Sequence, residues 1–127
     1  MSTGSRRVLV VEDNARNSKL ACAVLEAAGI GSDAVESGAG AADYCATRTP
    51  DLILLDIQLP DRSGIDVLRD LRANPATAGI AVVALTAFAM DGDRERLLTA
   101  GFNGYISKPI DVASFADTVR SLMGDGS

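Results

Sequence analysis

The sequence predicts an α/β domain, a doubly wound five-stranded parallel sheet of (βα)5 form. Two observations carry this. Short β-rich runs alternate with helical stretches along the whole chain, as parallel sheets covered on both faces require. The strongest runs are continuously apolar instead of alternating, as expected of strands buried on both sides.

The elements follow in order. Val8-Leu9-Val10-Val11 is the first strand. A helix is expected over Ala15 to Ala28, with Ala21, Val24, Leu25 and Ala28 on one face and Gly29 ending it. Ser32 to Glu36 is a weak strand, and Ala39 to Arg48 a shorter helix. Leu52 to Leu55 is the most apolar strand. The helix after Gly64 presents Ile65, Leu68 and Leu71 until Asn74-Pro75 stops it. Ala81 to Leu85 is the fourth strand. The helix Asp91 to Ala100 offers only Leu97 and Leu98 as large apolar residues, which marks it as one of the more mobile elements. Tyr105-Ile106 is the last strand. The final helix, Val112 to Met123, carries Phe115, Val119 and Leu122 on one face. One domain over 6–123 is expected, with loose tails at 1–5 and 124–127.

Composition narrows the function. The chain has 127 residues, 47% hydrophobic and 23% charged, with a formal net charge of -5. That balance argues against a nucleic-acid surface, which needs clustered Lys and Arg. No apolar stretch is long enough for membrane insertion, and "MSTGSRR" lacks the apolar region of a secretory signal, so the expected location is cytoplasmic. Cys22 and Cys45 form no CxxC pattern and read as reduced core thiols. There is no histidine, which excludes a Ser-His-Asp triad, a Cys-His pair, His-containing zinc sites and a phosphohistidine carrier.

Ligands of such sheets bind beyond the carboxyl ends of the strands. The residues there are Glu12-Asp13, Asp56, Thr86-Ala87 and Ser107-Lys108-Pro109. Three carboxylates, a hydroxyl and an ammonium should meet at one edge. Clustered carboxylates repel unless a cation joins them. Oxygen ligands alone suit Mg²⁺. A carboxylate can also be a nucleophile that forms an aspartyl phosphate, with a metal and an ammonium neutralising the phosphoryl oxygens. Taken singly, these residues have plainer readings. Glu12 and Asp13 suit a helix N-terminus, although Asn14 can also cap it. Asp56 suits a turn, Thr86 a strand, Lys108 a solvated surface and Tyr105 a half-buried site. The specificity lies in the set.

Four stretches, "VLVVEDN", "PDLILLDIQLPDRSG", "VVALTA" and "GYISKPI", together resemble the receiver domain of bacterial two-component response regulators. The resemblance spans about Arg6 to Met123 and implies a flavodoxin-like fold with strand order 2-1-3-4-5. It implies that Asp56 is the phosphoacceptor, that Asp13 binds Mg²⁺ directly and that Glu12 reaches it through water. Gln58 matches the position whose backbone carbonyl binds the metal. Thr86 matches the hydroxyl that follows the phosphoryl group, Lys108 the ammonium, and Tyr105 the switch aromatic. Lys108-Pro109 matches a cis peptide. The acidic pair is Glu-Asp where Asp-Asp is commoner. The stretch "TAFAMDGD" and the lack of an output domain resemble single-domain regulators of cell division within this family.

The implied partners are a sensor histidine kinase or phosphatase, a histidine phosphotransfer protein or a kinase-like regulator. They would meet a surface of fourth helix, fifth strand and fifth helix, with Phe88 and Met90 as candidate contacts. The resemblance implies a phosphoacceptor switch, not an enzyme acting on external substrates. A phosphorylation-independent interaction module of the same architecture is the alternative. An aspartate-nucleophile hydrolase of the haloacid dehalogenase type would need DxDxT where the chain has "EDNAR". A flavin binder would need a Ser-, Thr- and Gly-rich phosphate loop there.

Overall fold

Continuous apolar runs do form the centre of the sheet. In the structure, a computed structural model, residues 7–87, 91–108 and 110–123 are described, with the backbone alone for 91–94. The strands are β1 (Arg7–Val11), β2 (Gly31–Val35), β3 (Leu52–Asp56), β4 (Ala81–Thr86) and β5 (Gly104–Ser107). The helices are α1 (Ala15–Ala27), α2 (Gly38–Thr47), α3 (Gly64–Ala73), α4 (Asp91–Ala100) and α5 (Phe115–Leu122). All pairings are parallel, in the order β2-β1-β3-β4-β5, as the sequence implied. The expected tails, Phe88, Met90 and the Lys108-Pro109 peptide bond lie outside the described residues.

The sheet separates two apolar layers. Leu9, Val11, Ile53, Leu55, Val82 and Ala84 face α2, α3 and α4. Val8, Val10, Leu52, Leu54, Val83 and Leu85 face α1 and α5. Every residue of β3 is buried, whereas edge strand β2 is mostly half-buried, which explains its weak apolar signal.

Helix ends follow local chemistry. Asn14, Ser37 and Ser63 each accept a backbone hydrogen bond at the starts of α1, α2 and α3. After α1, Gly29 adopts a φ of 83°, and Ile30 N–H closes back on the Leu25 carbonyl. Arg72 ties the end of α3 to the carbonyls of Ala78, Ile80 and Gly101.

Four expectations need correction. The last helix starts at Phe115, not Val112, because the Asp111 carbonyl and carboxylate hold residues 113–115 in a turn. Leu97 is buried but Leu98 is 45% exposed, so α4 has a single large anchor among its described side chains. On α3, Val67 is buried while Ile65 only packs against the core. Cys22 and Cys45 are free thiols but half-buried at the core margin, and burial pushes the Cys45 thiol up.

Candidate functional site

The parallel topology delivers the ends of β1, β3 and β5 to one edge, and the polar residues meet there. Asp56 closes β3 with only 3% exposure. Its Oδ1 accepts from Gln58 N–H at 2.9 Å, and its Oδ2 lies 2.9 Å from Lys108 Nζ. Lys108 is placed by its own N–H, which donates to the Thr86 carbonyl at 2.8 Å. The same ammonium stands 2.9 Å from Glu12 Oε2. Glu12 is buried, its N–H bound to the Val35 carbonyl at 3.0 Å. Asp13 is exposed beside it. Neither acid caps α1: Asn14 does so, accepting from Asn17 N–H at 3.1 Å.

An open cleft of about 570 Å³ lies above these groups. Glu12, Asp13, Asp56, Gln58 and Lys108 line it, so five of the sequence-predicted residues come together. Asn17, Leu59 and Pro60 also line it, and sequence reasoning gave them no part. Thr86 and Tyr105 are not among the described residues lining the cleft. Thr86 is buried one residue beyond Leu85, the register partner of Asp56. Tyr105 pairs with Ala84 and packs half-buried on the α3/α4 side of the sheet. Gly64 is needed by sterics, because a Cβ there would collide with the Asp56 carbonyl.

Charge in the cleft is unbalanced. Three carboxylates share one ammonium among the described residues. Burial raises the Glu12 carboxyl above the usual range; Lys108 opposes the rise and Asp56 adds to it. Burial alone would depress Lys108, but Glu12 and Asp56 outweigh it and push the ammonium up.

The donor set fits a hard divalent cation. Glu12, Asp13 and Asp56 each offer an oxygen, all within 4.8 Å of one another. Oxygen donors without histidine or cysteine are the ligand type Mg²⁺ takes, and these three residues would hold it.

A doubly wound sheet in this order, with acids after β1 and at the end of β3 and a lysine after β5, defines a receiver domain. The response regulator receiver domain profile matches residues 8–120, and the chain belongs to that family. It is similar to the polar-differentiation response regulator DivK of Brucella ovis, 45% identical over 121 residues that span 95% of this chain and 98% of that protein. DivK of Brucella anthropi is 44% identical over 120 residues, 94% and 98% of the two chains. Among solved structures, the receiver domain of a sensor histidine kinase from Pseudomonas aeruginosa PAO1 superposes with a TM-score of 0.85 at 33% identity, covering 95% and 99% of the chains. That crystal structure has a magnesium ion coordinated in its active-site cleft. The chemotaxis response regulator CheY4 of Vibrio cholerae, with a TM-score of 0.88 at 18% identity over 94% and 99% of the chains, shares the fold. The chain is thus a DivK-like receiver domain of two-component signalling. Among its described residues no helix is long and apolar enough to cross a membrane.

Proposed function

We propose that this domain is a cytoplasmic phosphorylation switch in which Asp56 accepts a phosphoryl group from a phosphohistidine donor with Mg²⁺. The observation that carries the reading is the ammonium of Lys108, held 2.9 Å from both Asp56 and Glu12 inside an open acidic cleft. Asp56 is fixed at the end of a rigid buried strand, which suits a nucleophile that must meet a donor in one orientation.

In the transfer, an Asp56 carboxylate oxygen attacks the donor phosphorus. The new O–P bond forms as the P–N bond breaks, and that electron pair returns to the donor imidazole. Glu12, Asp13, Asp56 and the Gln58 carbonyl are the groups that would hold the metal. When bound, the metal supplies charge neutralisation for the phosphoryl oxygens. Asp56 surrenders its carboxylate charge on phosphorylation, so Lys108 exchanges that contact for a phosphoryl oxygen. Hydrolysis reverses the state: water adds at phosphorus, the O–P bond breaks, and phosphate leaves. The chain assists its own phosphorylation and dephosphorylation and turns over no other substrate.

The readout follows from the register. Thr86 lies two residues beyond Ala84, the pairing partner of Tyr105, so both side chains belong to the same face of neighbouring strands. A Thr86 hydroxyl drawn toward the phosphoryl group changes the space that Tyr105 can occupy. This gives a two-state element biased by a local charge, displayed on the α4–β5–α5 surface to a protein partner. A sensor histidine kinase or phosphatase, a phosphotransfer protein or a kinase-like regulator of cell division matches that chemistry.

The test is incubation with acetyl phosphate or candidate kinases, with MgCl₂ or with EDTA, followed by pull-down using each state. Mg²⁺-dependent labelling and state-dependent capture are expected. Capture of the same partners at equal affinity without any labelling would support a phosphorylation-independent module instead.

A further inference from the structure

The loop that follows the phosphoacceptor is held at its base by its own backbone. Gln58 pairs with Ser63 in an antiparallel bridge, and Gly64 N–H donates to the Ile57 carbonyl at 2.8 Å. Neither bond restrains the tip, where Leu59 and Pro60 form one wall of the acidic cleft. The next residue, Asp61, does. Its Oδ1 accepts from Gly38 N–H at 3.0 Å and its Oδ2 from Ala39 N–H at 3.1 Å. Those donors open α2, an element remote in sequence from the loop.

Asp61 takes the first-turn amides that the helix's own cap leaves open, and as a loop residue it does so across two elements. The helix already carries its own cap, since Ser37 Oγ accepts from Gly40 N–H at 3.0 Å. Asp61 is exposed, so packing does not demand it. The two amides hold its carboxyl below the usual carboxylate range, the bond from Gly38 contributing most. The fit is close: a Cβ on Gly38 would come within 2.9 Å of Arg62 Cγ and of Val67 Cγ2, so the end of the loop and α3 both seat directly on the helix start. The opposite wall of the cleft is tied to the same corner, because Glu12 N–H donates to the Val35 carbonyl at 3.0 Å. Residues 35–39 therefore brace both the loop carrying Glu12 and Asp13 and the loop carrying Gln58, Leu59 and Pro60.

The geometry points to Asp61 as a positioning residue that latches the phosphoacceptor loop to the β2–α2 corner and so sets the width of the acidic cleft for the cation. The inference rests on the metal-assisted phosphoacceptor reading above. Asp61 touches neither metal nor phosphoryl group. It acts by fixing where the Gln58 carbonyl stands relative to Glu12, Asp13 and Asp56.

MgCl₂ titrations followed by backbone amide shifts separate the latch from simple helix support. Asp61→Ala and Ser37→Ala each remove a side-chain acceptor from the same helix terminus, but only the first frees the loop. Asp61→Ala should weaken Mg²⁺ binding by about tenfold, the low end for lost outer support of a metal site. Ser37→Ala should leave it unchanged. Asp61→Asn, which keeps one acceptor oxygen, should fall between, and it serves as the test if the Ala variant misfolds. In the wild type the Gly38 and Ala39 amides should shift with the same midpoint as the Gln58 amide. Unchanged Mg²⁺ affinity in the Asp61 variants, or equal weakening by Ser37→Ala, would overturn the latch while leaving the phosphoacceptor reading intact. A wild-type protein showing no saturable Mg²⁺ response would remove that reading and the latch with it.

Discussion

Two ionic clusters on one sheet are balanced in opposite ways. On the β2 edge, Asp33 receives the Tyr44 hydroxyl at 2.6 Å, with Arg7 at 3.1 Å and Arg48 at 3.6 Å. One carboxylate faces two guanidiniums and a phenol. The Tyr44 hydrogen bond, and then the arginines, hold Asp33 below the usual range despite partial burial. At the strand ends the ratio is reversed: Glu12, Asp13 and Asp56 share Lys108, and Glu12 is pushed up. The first cluster carries an excess of positive charge, so its carboxylate is fully compensated. The second is short of positive charge, and that deficit is what a metal ion and a phosphorylation chemistry can use. A structural ion cluster and a reactive one thus differ in stoichiometry more than in residue type.

The contrast can be broken most severely at Lys108. Lys108→Met should leave two buried carboxylates facing each other and cost about 3 kcal/mol, the low end for stripping one partner from a buried pair, since Lys108 is partly solvated. The sign with pH follows from Glu12. A carboxyl raised in the folded state contributes stability that is complete below its unfolded value and lost as pH rises through the raised value. The variant should therefore be hurt more at pH 8 than at pH 5, as urea unfolding at both values would read. Equal loss at both would mean that the carboxylates do not sense each other.

Mg²⁺ should sharpen the contrast next. At a hundredfold excess over Kd it should stabilise the fold by about 2.7 kcal/mol, seen as a higher melting temperature. Asp33→Asn should retain that whole gain. By itself Asp33→Asn should cost about 1 kcal/mol at pH 7 through weakened hydrogen bonds. Because Asp33 is depressed in the folded state, its stability is present above the unfolded value and lost as pH falls through the lowered one. The wild-type advantage over Asn should accordingly vanish in acid titrations of stability. The smallest effect is expected at Asp13, which is exposed. Asp13→Asn in metal-free buffer should raise stability by less than about 0.5 kcal/mol, a gain cancelled once Mg²⁺ is added.

The reactive cluster was legible because its residues follow strands. Parallel topology brings every strand's carboxyl end to one edge, so Asp56 and Lys108 could be placed together although 52 positions separate them. The Asp33 cluster was not legible. Its members are a strand residue, a strand start, a helix tyrosine and a helix cap, and periodicity says nothing about how far an arginine reaches. Asp61 drew no reading from the sequence; only the placement of α2 turns it into a backbone acceptor. The start of α5 was missed for a local reason, because the Asp111 turn competes with helix over 112–114. Leu98 was grouped with Leu97 since a residue pair cannot tell which of two adjacent faces is covered.

The deficit of positive charge at Asp56 is tested most directly by intact-mass measurement after acetyl phosphate treatment, comparing wild type with Asp56→Asn, each with MgCl₂ or EDTA. The amide preserves shape and hydrogen bonding at Gln58 but is a poor nucleophile. One phosphoryl adduct is expected on the wild type with Mg²⁺ alone, and none on Asp56→Asn, whose amide spectrum should remain that of a folded domain. An adduct of equal yield on Asp56→Asn, or on the wild type in EDTA, would contradict the assignment of Asp56 as the acceptor in a cation-dependent site.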